Sequence, residues 1–142
     1  MNIYLSHARK DSLVALQLAR RLEEVEGFAV LHPEADIEPG ENWATKTAEA
    51  LHGSNFMVFL MTPGALESDT LRHNIELALS SKKYDGRVFT VVLASTYQAG
   101  KDVPWILLKL PHHQVESSKG FAKIAKEIAA QCAALEGSAS HA

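Results

Sequence analysis

Phe56-Met57-Val58-Phe59-Leu60-Met61 carries no polar residue at any of its positions. A strand with one wet face alternates apolar and polar side chains. A strand covered on both faces does not, and such strands belong to parallel sheets with helices above and below. Thr62-Pro63-Gly64 breaks the run, because proline and glycine punctuate regular structure. Val88 to Ala94 repeats the pattern of a buried strand. Asn2 to Leu5 and Phe28 to Leu31 are shorter apolar strands, and a short last strand is expected near His113 to Val115.

Helical patterns separate these strands. Asp11 or Ser12 can cap a helix, and Val14, Leu18, Leu22 and Val25 then fall on one stripe. Gly27 is its expected C-terminal stop. Pro33 and Pro39 forbid regular structure before Asn42, which caps the next helix up to about Gly53. Ser68 or Asp69 opens a helix ending near Lys83, and Asp85-Gly86 turns the chain. The apolar element Trp105 to Leu110 reads equally as strand or helix. Phe121, Ile124, Ile128, Cys132 and Leu135 stripe a final helix that begins near Ser117 or Ser118.

Alternating strands and helices predict an α/β fold: a flavodoxin-like, doubly wound, five-stranded parallel sheet in order 2-1-3-4-5, with helices on both faces. Ligands of such sheets bind beyond the C-terminal ends of the strands, where the order reverses. That rule selects three loops: Ser6 to Asp11, His32 to Asn42 and Thr62 to Glu67.

At 142 residues and 46% hydrophobic, the chain is expected to be one domain over residues 1–136, with a flexible tail at 137–142. A net charge of -3 offers no nucleic-acid footprint. A single cysteine, Cys132, excludes an internal disulfide and suits a reducing compartment. No apolar run approaches the ~20 residues that cross a bilayer. A cytoplasmic protein with no membrane and no nucleic-acid partner is the expectation. The seven histidines form no metal-ligating spacing. His112-His113 reads as a surface loop, and no metal is expected. A phospho-receiver domain shares the fold, but it needs acidic residues where this chain has Ser6-His7 and Thr62-Pro63.

Four stretches in order carry a family resemblance. Ile3-Tyr4-Leu5-Ser6-His7 with Asp11 resembles the opening motif of bacterial TIR (Toll/interleukin-1 receptor) domains. Asp36-Ile37-Glu38-Pro39-Gly40-Glu41-Asn42-Trp43 resembles their BB loop. Met61 to Ser68 resembles the segment after the third strand, and Arg72 to Leu79 the helix that follows. The resemblance implies signalling by assembly with other TIR domains, with Ile37, Glu38, Pro39 and Gly40 at the assembly loop. It also implies NAD or a related nucleotide as substrate or ligand, with none bound permanently.

Candidate nucleotide contacts are Ser6, His7, Arg9, Asp36, Trp43 and Thr62. Ser6 and Asp11 can equally serve the turn, and the family favours Trp43 as packing beneath the BB loop. Many TIR domains cleave NAD with a glutamate on the helix after the third strand. In this chain Asn74 occupies that position, and Thr70 the usual tryptophan position. Glycosidic cleavage develops positive charge on the ribose, which a carboxylate stabilises and a neutral amide does not. Glu76 is the nearest substitute, yet it lies about 200° around the helix from Asn74. Glu67 and Asp36 are the other loop carboxylates. Two functions follow: a binding and assembly module with catalysis impaired, as in bacterial immune, antiphage or stress signalling, or an active NAD glycohydrolase or cyclase that uses another carboxylate.

Overall fold

The computed structural model describes residues 1–25, 28–31, 43–93 and 107–140. Five strands form one sheet: β1 (Asn2–Ser6), β2 (Ala29–Leu31), β3 (Phe56–Met61), β4 (Val88–Leu93) and β5 (His112–Val115). All neighbours pair in parallel, in the order β2-β1-β3-β4-β5. The helices are α1 (Ser12–Glu23), α2 (Trp43–His52), α3 (Asp69–Ser80) and α4 (Phe121–Ser140).

Successive strand residues point to opposite faces, so β1, β3 and β4 each feed two cores. On one face Ile3, Leu5, Phe56, Val58, Leu60, Phe89 and Val91 pack with Leu18 and Leu22 of α1 and with Phe121, Ile124, Ile128 and Cys132 of α4. On the other, Tyr4, Met57, Phe59, Met61, Val88 and Val92 pack with Leu71, Ile75 and Ala78 of α3. All six residues of β3 are buried, which is why that stretch shows no alternation. Each large side chain buried this way contributes about 1.5–3 kcal/mol.

Several boundaries differ from the sequence reading, each for a local reason. Asp11 stands at the N-cap of α1 but makes no side-chain cap hydrogen bond; its carboxylate is engaged by the loop after β3, and Ser12 Oγ donates to the Arg9 carbonyl at 2.7 Å. Ser68 does cap α3, accepting from the Leu71 amide. The chain leaves α3 by a 3-10 turn at Lys82–Tyr84 and turns at Gly86, whose φ of 73° favours glycine. Within the apolar element before Pro111, the described part is a 3-10 turn at Leu107–Lys109, and Leu107 is fully buried.

His112 and His113 are not in a loop. They open the edge strand β5, where the Thr90 amide pairs with the Pro111 carbonyl and brings them into register with β4. His113 then reaches Glu127 and Gln131 of α4, at 3.0 Å and 3.2 Å. The helix α4 continues to Ser140, beyond residue 136, where the sequence reading placed the start of a tail. Gly27 and the loop from residue 32 to 42 lie outside the described residues.

Candidate functional site

The strand order reverses between β1 and β3, so the loops leaving these strands flank the crevice that the sheet rule selects. Two polar assemblies occupy this place, one at the mouth and one beneath it.

At the mouth, Asp11 and Thr62 are each only 8% exposed. Thr62 Oγ1 donates to Asp11 Oδ2 at 2.6 Å. Lys10 Nζ donates to the same Thr62 hydroxyl at 3.0 Å and to the Pro63 carbonyl at 2.9 Å, and it lies 3.3 Å from Asp11 Oδ1. Three residues thus clasp the loop after β1 to the loop after β3. A hydrogen bond to a charged group is worth about 1.5–3 kcal/mol, more than a neutral one. The aspartate and lysine are neighbours in sequence, and their common target is more than fifty residues away. Thr62, expected to meet a nucleotide, has its hydroxyl engaged by this clasp. Gly64, at φ 81°, turns the second loop beside it.

Beneath the mouth lies Asn74. Leu71, Asn74, Ile75 and Ala78 form the buried stripe of α3, at helical spacing. The stripe points Asn74 onto β1, where Tyr4 and Ser6 share one strand face. Asn74 Nδ2 donates to Ser6 Oγ at 2.9 Å and lies 3.3 Å from Tyr4 Oη. All three residues are fully buried. Burying an amide without partners costs several kcal/mol, so the two hydroxyls offset part of the cost of burying its Nδ2 here. Both hydroxyls can also donate, and would do so towards a carboxylate in the same place.

The remaining candidates separate by exposure. His7 is fully buried, and its Nδ1–H donates to the Ala8 carbonyl at 2.8 Å. Arg9 is exposed in the 3-10 turn Arg9–Asp11. Glu76 and Glu67 are exposed, and Glu76 stands on the opposite side of α3 from Asn74, as the 200° offset requires. Trp43 opens α2, but its side chain is outside the described residues, as are Asp36, Ile37, Glu38, Pro39 and Gly40.

The site therefore unites Ser6 with Asn74 and brings Thr62 to Asp11. It does not bring Glu76 to either group. Tyr4 was missed as a site member, and Lys10, which like Arg9 could add charge to the first loop, instead holds Thr62 and the Pro63 carbonyl. Tyr4 was legible in principle, since it lies two residues before Ser6 on one strand face. The reach of Lys10 to Thr62 had no signal in the chain.

Family comparison agrees with this geometry. The sequence model of the TIR domain matches residues 3–125, and the chain belongs to that family. The matched span runs from β1 into α4 and includes the whole crevice. Comparison with individual curated proteins gives no significant match. Among the described residues, no helix is long and apolar enough to cross a membrane.

Proposed function

We propose that this TIR domain is a binding and assembly module in bacterial immune, antiphage or stress signalling in the cytoplasm. It holds NAD or a related nucleotide in the crevice between β1 and β3, joins other TIR domains through the loop around Ile37 to Gly40, and does little chemistry itself. Asn74 carries the reading. The family's carboxylate position holds a neutral amide that is fully buried and bonded to Ser6 and Tyr4. Without the carboxylate, the cation-like transition state loses one electrostatic stabiliser, a deficit of ~10²–10³ in rate. The exposed position of Glu76 on the other side of α3 supports the same conclusion, because that carboxylate does not take over the place of Asn74.

The test pairs NAD titration by calorimetry with nicotinamide release, at high protein concentration, for the wild type and Asn74→Glu. The expected wild type binds NAD and leaves it intact, while the variant releases nicotinamide. Turnover by the wild type would overturn the catalytic half of the proposal. Absence of NAD binding would overturn the nucleotide half. Light scattering over the same concentrations reads assembly separately.

A further inference from the structure

A second polar cavity lies on the opposite face of the sheet, away from α3. It has a volume of about 340 Å³ and is lined by Gln17, Arg20, Arg21 and Glu24 of α1, by Ser118 and Lys119, and by Phe121. Phe121 is fully buried and forms an apolar floor. Arg20, Arg21 and Lys119 supply three cations against the single carboxylate of Glu24. That carboxylate is already engaged with Arg21, at 3.3 Å. Among the described residues, neither Arg20 nor Lys119 has a side-chain hydrogen bond or ion pair.

Arg20 and Lys119 are exposed at the rim of this cavity, and the chain carries a net charge of -3, so the local positive excess is not a general property of its surface. The turn that carries Lys119 packs closely against the end of β5. A Cβ placed on Gly120 would stand 2.7 Å from Val115 Cγ1, so the Ser118–Gly120 turn sits directly on β5. Lys119 is presented by this turn, and Arg20 by the last turn of α1.

We propose that this cavity binds the phosphoryl group of a small phosphorylated molecule. The guanidinium of Arg20 and the ammonium of Lys119 bond the phosphoryl oxygens, Arg21 shares its charge between Glu24 and the ligand, and Gln17 and Ser118 supply neutral donors. Arginine suits this task because its planar fork matches phosphate geometry. The volume is at the lower end of small-molecule sites, about 300–1,000 Å³, and it has room for a phosphate or sugar phosphate. This site is separate from the proposed crevice and does not depend on it.

The experiment is an amide NMR titration of the full chain with inorganic phosphate and with ribose 5-phosphate, at constant ionic strength set by sodium chloride. Saturable shifts are expected at residues 17–24 and 118–121. In the double variant Arg20→Gln/Lys119→Gln the affinity falls by about ten-fold or more, as loss of charge-assisted contacts requires. Lys126→Gln, an exposed lysine that does not line the cavity, leaves it within about two-fold of the wild type, the range of a screened distant charge. Tighter binding of ribose 5-phosphate would identify a sugar phosphate, and equal binding would identify the phosphoryl group alone. The proposal is overturned if chloride produces the same shifts. It is also overturned if the double variant, shown by circular dichroism to be folded, binds as well as the wild type. Shifts confined to the loops after β1 and β3 would place the phosphate in the crevice and overturn it too.

Discussion

Replacing Asn74 with alanine should destabilise the whole domain, and the structure bounds the size of the loss. The asparagine amide donates to Ser6 Oγ and Tyr4 Oη from a position with no solvent exposure. Each neutral hydrogen bond contributes a net of about 0.5–1.5 kcal/mol, so the pair accounts for about 1–3 kcal/mol. Truncation also leaves a void beneath α3, because packed interiors relax only in part. The combined cost is about 2–4 kcal/mol, which in a domain of this size lowers Tm by about 6–14 °C. Urea unfolding measures the free energy, and calorimetry the Tm. A double-mutant cycle with Tyr4→Phe then tests the cause. Losing the Tyr4 hydroxyl should cost less in the Asn74→Ala background than in the wild type, since its bond to Asn74 is already gone. A loss below about 0.5 kcal/mol for Asn74→Ala, the usual range for surface positions, would refute the buried placement. Strict additivity in the cycle would refute the Tyr4–Asn74 contact.

The remaining predictions concern the clasp and Tyr84. Thr62→Val removes the donor to the Asp11 carboxylate and should cost about 1.5–3 kcal/mol in urea unfolding, whereas Thr62→Ser, which keeps the hydroxyl, should cost under about 1 kcal/mol. Equal losses in the two variants would show that the methyl packing matters and the hydrogen bond does not. Tyr84 donates its phenolic hydrogen to the Leu51 carbonyl at 2.6 Å, and burial pushes its pKa above the ordinary value. The folded state therefore prefers the neutral phenol, while the unfolded chain ionises first, near pH ~10. Stability from this source is complete below that pH and falls as the pH rises through the folded pKa. Tyr84→Phe should be less stable than the wild type at neutral pH, and the gap should narrow above about pH 10. A gap that stays constant up to strongly alkaline pH would refute this linkage.

The TIR fold was legible because its signals are local and repeated. The unbroken apolar run of Phe56 to Met61 reports a strand covered on both faces, and the stripes of α1 and α4 report helices that cover one of them. Strand order followed from the connections between strands, which crossover geometry limits to few arrangements. The short last strand near His113 to Val115 was legible, but the His112-His113 pair also read as a surface loop, because a four-residue edge strand with alternating exposure looks like a polar loop until β4 is placed beside it. Asp11 stands at the N-cap position the sequence allowed, but its side-chain partner was illegible because Thr62 is on another loop.

The same division holds for the site. The chain by itself determined that the family's glutamate position holds asparagine, that Glu76 faces another way, and which loops flank the crevice. Those facts depend on residue identity, helical angle and strand order. The tertiary structure decided that Asn74 bonds to Ser6 and Tyr4, that Lys10 and Asp11 meet Thr62, and that Arg20 and Lys119 share a cavity. Each of those pairings joins residues about fifty to a hundred positions apart in the chain. No local rule relates such residues. Only the packing of helices onto the register of strands brings their side chains together.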